Sequence, residues 1–199
     1  DLHSFPTRRS SDLLSYSANP VFIAADMLAQ AEHDPQALPM AIVATPEQAG
    51  AVQAELARQL PELGREEIAR TALLTRGHIF IEPDTKAAIH LANQLASEHL
   101  ELHLSDPWRW LPRIRHAGAV FLGHYSPEAC GDYVAGPNHV LPTMGTAKTA
   151  SALGVETFLK HISLIDYSRD ALDRDAAHIR NLAGLERLDA HAASVGRRL

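Results

Sequence analysis

The sequence predicts an α/β fold in which helices cover a parallel sheet. Short apolar runs at residues 39–45 and 78–83 have the length and composition of strands that are buried on both faces. A long helical segment follows each run, and such connections are too long for hairpins. The 199-residue chain is 46% hydrophobic, which is ordinary for a protein with a packed core.

The start of the chain is predicted to lie outside this fold. Residues 1–13, DLHSFPTRRSSDL, are polar, contain Arg8 and Arg9, and show neither helical nor strand periodicity. We interpret residues 1–16 as a non-native leader, such as a translated adapter. A native flexible tail and a mitochondrial targeting segment are the alternatives.

A helix is predicted over residues 20–34. Asn19 suits the N-cap and Pro20 the first helical position. Gln30 and His33 are three residues apart near the end of this helix, so their side chains lie on one side and can converge on one ligand. A solvated helix end is the alternative, since a His there also suits the helix dipole.

A carboxylate and an imidazole stand together at the start of a later strand. Leucines alternate with polar residues over 100–104, which predicts a half-buried strand. Glu98 and His99 directly precede it, and they can act together only if the strand begins irregularly, because neighbours in a regular strand face opposite ways. Such a pair can activate water or transfer protons; two charges at a strand end are the alternative. Further helices are predicted at 46–60, 65–74 and 84–97.

The stretch 126–145, SPEACGDYVAGPNHVLPTMG, follows the last predicted core strand at 118–123. Its glycines and prolines predict a loop. It contains Asp132 and His139, and also Cys130, which we interpret as a packing residue. Because ligands in open α/β sheets bind beyond the carboxyl ends of strands, we expect this loop to line a binding site.

After the loop, a helix is predicted at 154–161 and an extended segment at 162–168. From residue 169 onward the chain is predicted to be helical, with a division into two helices near residues 183–184. Glu186 and His191 are five residues apart, about 140° around a helix, so they would contact different parts of one ligand. Solvated charges on a terminal amphipathic helix are the alternative. An apolar stripe on these helices needs a packing partner; it consists of Leu182, Leu185, Leu188 and Ala192.

Composition narrows the function classes. A formal net charge of −6 disfavours nucleic-acid binding, which rewards clustered Lys and Arg. The single Cys excludes an internal disulfide and suits a reducing compartment, and no apolar run reaches the roughly 18 residues of a membrane span. No G-x-G-x-x-G sequence follows the predicted strands, so the spacing alone indicates no dinucleotide site. We therefore expect a cytoplasmic domain that binds neither nucleic acid nor membranes.

Four ordered motifs together resemble the C-terminal half of the histidinol dehydrogenase family. They are QAEHD at 30–34, SEHLEL at 97–102, GDYVAGPNHVLPT at 131–143 and LERLDAH at 185–191. The resemblance implies an incomplete Rossmann-like parallel sheet in a zinc- and substrate-binding domain at 17–167, and a helical dimerisation segment at 168–199. It also implies a zinc-dependent, NAD-linked oxidation of L-histidinol through histidinal to L-histidine, at the end of histidine biosynthesis.

The resemblance further implies a role for each motif residue. His99 would bind substrate and act as general acid and base, and Glu98 would activate water. Glu186 would hold the amino group of the substrate, and His139 would contact the substrate. The zinc ligands, which would also contact the substrate, would be Gln30, His33, Asp132 and His191.

The family is an intertwined homodimer, so Glu186 and His191 would serve the site of the other subunit. The long N-terminal half of the family, with a GPSE substrate loop and much of the NAD-binding surface, has no counterpart here, so NAD contacts stay unassigned and we expect the chain alone to be inactive. Two alternatives remain: a zinc- or imidazole-binding fragment without catalysis, and a βα domain with a helical tail and no activity. Met144 stands where glycine is commoner in the family.

Overall fold

Five parallel strands form the sheet of the first structural unit. They are β1 (Ser10–Ser15), β2 (Leu38–Val43), β3 (His78–Ile81), β4 (His99–His103) and β5 (Ala119–Leu122), in the spatial order β3-β2-β1-β4-β5. The computed structural model describes residues 10–199, except the side chains of Ser11 and Asp12. Every strand pairing among these residues is parallel, which confirms the predicted α/β fold.

The central strand corrects the prediction for the start of the chain. β1 lies between β2 and β4, so the prediction that residues 1–13 contribute no regular structure is wrong for residues 10–13. The physical reason is that Leu13 and Leu14 are both fully buried, in different core clusters, while the neighbouring strands satisfy the backbone on both sides. Residues 1–9 lie outside the described residues, and the non-native origin of 1–16 stays a prediction.

Helices cover both faces of this sheet. α1, α2 and α3 pack together against one face, and α4 packs against the other. The side chain of Asn19 accepts a hydrogen bond from the Val21 N–H and caps α1 as predicted. The helices of this unit are α1 (Pro20–Ala31), α2 (Pro46–Gln59), α3 (Glu66–Arg76), α4 (Thr85–Leu95), α5 (Pro107–Trp110) and α6 (Glu128–Tyr133).

β4 is buried along its whole length, whereas the sequence predicts a half-buried strand. Leu100 and Leu102 join the core cluster beneath α4. The alternate residues His99, Glu101 and His103 are buried as well, because they meet polar groups of α1 and α6 instead of water. The alternation of polar residues therefore marks a buried polar layer.

The stretch 126–145 is predicted as a loop, but it begins with α6. Its later residues return to the start of β5, where a Cβ on Gly118 would lie 2.5 Å from the Glu98 carbonyl oxygen and 3.1 Å from Pro142 Cδ. Only glycine allows this close approach. Met144 has φ of 56°, in the left-handed region that favours glycine, so a methionine is strained at this position.

Leu159–Leu199 forms a second, helical unit, which is described by itself. The division after Phe158 precedes the predicted one after residue 167. The unit contains α7 (Arg169–Leu185) and α8 (Asp189–Gly196), which separate around Arg187, a little later than predicted. The predicted helix at 154–161 is a short 3-10 helix, Val155–Phe158, and residues 162–167 pair with no strand in the described chain. Among residues 10–199, no helix has both the length and the apolar character needed to cross a membrane.

Candidate functional site

The candidate site lies where α1 ends, β4 begins and α6 packs against both. His33 follows the last turn of α1, and His99 is the first residue of β4. The site is thus at the amino-terminal end of β4, not beyond the carboxyl ends of the strands as predicted. The reason is that the chain turns back after β5, and the N–H of Glu128 on α6 donates to Oε1 of Glu101 in β4 at 3.3 Å.

Two imidazoles and two carboxylates meet at this point. Ligand atoms of His33, Glu128 and Asp132 all lie within 4.8 Å of one another. Oε1 of Glu128 is 3.7 Å from Nε2 of His33 and 3.4 Å from Nδ1 of His99. Nε2 of His99 is 3.9 Å from Oδ1 of Asp132. Imidazole nitrogen and carboxylate oxygen atoms in this arrangement suit a divalent cation such as zinc.

Gln30 adds a buried amide to the α1 side of the site. Its side chain is fully buried, and neither its oxygen nor its nitrogen has a hydrogen-bond partner among the described residues. An unsatisfied buried amide costs folding free energy, so its oxygen is available to a ligand. His33 follows one turn later, and its backbone N–H donates to the Gln30 carbonyl at 3.4 Å. These observations fit a metal held by Gln30, His33 and Asp132 of the predicted set.

Glu98 lies in a bend directly before β4. The strand therefore begins irregularly, as joint action of Glu98 and His99 requires. Glu98 is buried, and its carbonyl accepts a hydrogen bond of 2.8 Å from the Ala119 N–H at the start of β5. This backbone pairing fixes the backbone of Glu98 relative to β5.

A cavity of about 250 Å³ opens beside His99 and is also lined by Asp132 and His139. Phe121 forms one wall, with its ring 5.9 Å from the His99 ring. A Cβ on Gly131 would lie 2.7 Å from Cζ of Phe121, so glycine is needed for α6 to approach this wall. A larger cavity of about 390 Å³ between α2, α3 and β3 contains none of the predicted site residues.

Cys130 lines the smaller cavity, and its side chain is exposed. The interpretation of this thiol as a packing residue is therefore wrong. The physical reason is that α6 is only six residues long and its Cys130 borders an open cavity.

Sequence reasoning missed Glu128, although its spacing carried a signal. Glu128 and Asp132 are four residues apart on α6, which places both carboxylates on one helix face. The helix was not predicted, because the glycines and prolines of residues 126–145 indicate a loop.

A second polar cluster, formed by Asp26, Glu101 and His103, was also missed. Nε2 of His103 lies 2.9 Å from Oε2 of Glu101 and 3.9 Å from Oδ2 of Asp26. Burial, followed by the charge of Glu101, raises the pKa of Asp26 to about 8. Burial, followed by the charge of Glu128, raises the pKa of Glu101 to about 8. Burial lowers the pKa of His103. The cluster therefore favours neutral side chains and a proton held between the two carboxyl groups.

Folding stability is expected to fall as the pH rises from about 5 to 8, because the buried carboxyl groups of Asp26 and Glu101 lose their protons over this range. The carboxyl pKa values of Asp26 and Glu101 rise from 3.8 and 4.5 to about 8 on folding. The stability from the bound protons is full below the unfolded pKa values and is lost as the pH rises through the folded ones. The slope is ~1.4 kcal/mol per pH unit for each retained proton. Glu101→Gln should flatten it, as measured by urea unfolding across this range.

The control is Glu62→Gln, which removes a carboxyl group whose side chain is 67% exposed. This variant should keep the pH dependence of the unmodified chain. Equal slopes for Glu101→Gln and the unmodified chain would contradict the retained proton.

Two predicted site residues belong to the helical unit. Glu186 follows the end of α7 and His191 lies on α8, and both side chains are exposed. Their relation to the site of the first unit stays a prediction.

Comparisons with known proteins agree with the motifs. The family model "Histidinol dehydrogenase" matches residues 13–199. A histidinol dehydrogenase of Desulfotalea psychrophila is 60% identical over 183 residues, which cover 92% of this chain and 42% of that protein. One of Nitratidesulfovibrio vulgaris is 52% identical over 186 residues, covering 94% of this chain and 43% of that protein.

The fold also matches that of a solved histidinol dehydrogenase structure. The crystal structure of histidinol dehydrogenase from Elizabethkingia anophelis matches with a TM-score of 0.87 at 32% identity, covering 96% of this chain and 44% of that chain. The chain thus spans about two fifths of the length of the curated relatives it matches. Sequence and fold agree over nearly the whole chain, which therefore belongs to the histidinol dehydrogenase family.

Proposed function

We propose that this chain supplies the zinc and substrate site of an enzyme that oxidises L-histidinol through histidinal to L-histidine, with NAD as the oxidant. One observation carries this proposal. Motif residues that are distant in sequence, His33, His99 and Asp132, converge at one point, and two of them line a cavity. Family membership supports the proposed reaction.

The residues present fit a zinc ion. His33 and Asp132 would hold it together with the unpaired amide of Gln30, and His191 would complete the set. When bound, zinc would act as a Lewis acid toward the nitrogen atoms of histidinol, which are natural zinc ligands. Bound NAD would accept hydride in each of the two oxidations. We propose that its binding surface lies in the part of the longer relatives that this chain does not span.

His99 and Glu98 would carry out the proton transfers of the reaction. Each oxidation needs a base that takes a proton from the reacting oxygen, and Nε2 of His99 faces the cavity wall that holds Asp132. Hydration of the intermediate aldehyde needs a base that takes a proton from water. Glu98, which directly precedes His99, would be this base. His139, which also lines the cavity, would contact the substrate.

The helical unit would complete the site of a partner subunit in a homodimer. Glu186 would hold the amino group of the substrate, and His191 would ligate zinc. Exposed apolar side chains support a partner for this unit: Leu182 is 63% exposed and Leu185 is 82% exposed. We place this dimer in the cytoplasm, without a nucleic-acid or membrane partner.

NADH formation from histidinol tests the proposal. The 199-residue chain alone should show essentially no turnover. The same segment joined to the N-terminal half of the Desulfotalea psychrophila relative should form two NADH per histidinol, at a rate at least ~10³-fold above the chain alone. A joined protein that folds, binds zinc and still forms no NADH would contradict the proposed reaction.

A second candidate function is zinc or imidazole binding without catalysis. It is favoured by the fact that His33, Glu128 and Asp132 all come from one unit of this chain. Zinc analysis of the chain alone separates this candidate from a purely structural domain. If no zinc is retained even at stoichiometric supply, the proposed metal site is wrong.

A further inference from the structure

Glu128 is a buried carboxylate to which the proposed reaction assigns no role. It is 2% exposed, and its Oε2 has no hydrogen-bond partner in the part of the chain that the structure describes. Its Oε1 lies between two imidazoles, 3.4 Å from Nδ1 of His99 and 3.7 Å from Nε2 of His33. A buried carboxylate is costly unless neighbouring groups stabilise it, so this placement calls for a partner with a proton to donate.

The two nitrogens of His99 face different groups. Nδ1 faces Glu128, while Nε2 is 3.9 Å from Oδ1 of Asp132 at the cavity. A neutral imidazole carries one proton, and the nitrogen that holds it is set by the acceptor beside it. Glu128 is the nearer of the two carboxylates, at 3.4 Å against 3.9 Å, which favours the proton on Nδ1 and leaves the lone pair of Nε2 at the cavity. The 3.4 Å separation is longer than an optimal hydrogen bond of about 2.9 Å, and such contacts often tighten when ligands bind.

The surroundings hold both partners in place. The N–H of Glu128 donates to Oε1 of Glu101, which ties the start of α6 to the middle of β4. Phe121 packs beside the His99 ring with an interplanar angle of 52°. The backbone of Glu128 and the ring of His99 are thus held by contacts with different elements, β4 and β5.

We propose that Glu128 is a positioning residue for His99, which holds the Nδ1–H tautomer so that Nε2 is the nitrogen that exchanges protons with the substrate. This inference rests on the proposed function for the substrate and for the acid–base role of His99, while the tautomer of His99 is independent of it. The role resembles that of carboxylates that orient catalytic or metal-bound imidazoles in other proteins. The competing role is that of a direct metal ligand, since Glu128 also lies beside His33 and Asp132.

The first test needs no activity. In the 199-residue chain, ¹⁵N NMR of the His99 ring at neutral pH reports which nitrogen is protonated. The unmodified chain and Glu128→Gln should show the Nδ1–H form, because the glutamine oxygen can still accept. Glu128→Ala should lose that preference, and the exposed control Glu62→Ala should keep it. An unchanged Nδ1–H form in Glu128→Ala would overturn the proposal, as would an Nε2–H form in the unmodified chain.

The second test uses the segment joined to an N-terminal half. Glu128→Ala should lower kcat about 10- to 100-fold, with a KM for histidinol within about threefold and an unchanged zinc content, and Glu128→Gln should restore part of kcat. Loss of zinc in Glu128→Ala would show a metal ligand and overturn the positioning role. If the unmodified joined protein is inactive, the proposed function fails, while the NMR result still decides the role of Glu128.

Discussion

Replacing His99 with asparagine is expected to lower kcat by about 10²–10⁴-fold in the segment joined to an N-terminal half, because proton transfer is lost from both oxidations. Asparagine keeps a polar side chain of similar reach but cannot take up a proton near neutral pH. Stopped-flow or steady-state NADH formation measures the loss. The zinc content should not change, since His99 is not in the proposed ligand set.

The matched control for this substitution is His90→Asn, at an exposed position on α4. It should keep the kcat of the unmodified joined protein. Because His99 is only 1% exposed, thermal unfolding of the His99→Asn variant must be recorded beside its activity. A folded His99→Asn variant with undiminished kcat would refute the acid–base role.

Replacing Asp132 with alanine is expected to weaken zinc binding at least ~10²-fold and thereby remove turnover, because the change deletes a charged ligand that lies beside His33. Competition with a chromophoric chelator measures the affinity, both in the chain alone and in the joined protein. Asp173→Ala, on the exposed side of α7, is the control and should bind zinc like the unmodified chain. Stoichiometric zinc in Asp132→Ala at the original affinity would contradict the ligand role.

His191→Ala tests, in the same assay, whether His191 of one subunit acts in the site of the other. In the joined protein, which we propose to be a dimer, this substitution should weaken zinc binding and abolish turnover. Mixed dimers of His191→Ala and His99→Asn subunits should recover part of the activity, since one of the two sites would then contain both unmodified residues. Dimers without any recovered activity would argue against shared sites.

Most of the fold could be predicted because its signals are local. The apolar runs of β2 and β3 and the caps Asn19 and Asp84 mark their elements without help from the rest of the chain. β1 could not be predicted, since two leucines give no periodicity and its stability comes from neighbours on both sides. Propensity is weakest where tertiary packing decides the structure.

The candidate site could be predicted only in part, and for a similar reason. Spacing on one helix places Gln30 near His33, and adjacency pairs Glu98 with His99. No local sequence pattern connects His33 with Asp132, which is 99 residues later. Only the resemblance to a family predicted that the two residues share a site. Glu128 has no such support, and its contacts with two imidazoles follow from how α6 packs.

The central position of β1 has a practical consequence for handling this protein. A chain shortened to begin at Ser17 would lose the strand that fills the middle of the sheet. β2 and β4 would then each present a row of unpaired backbone groups on an apolar strand, which is the kind of edge that pairs with other chains. Aggregates rich in intermolecular β-structure should therefore form when residues 10–15 are trimmed as if they were dispensable.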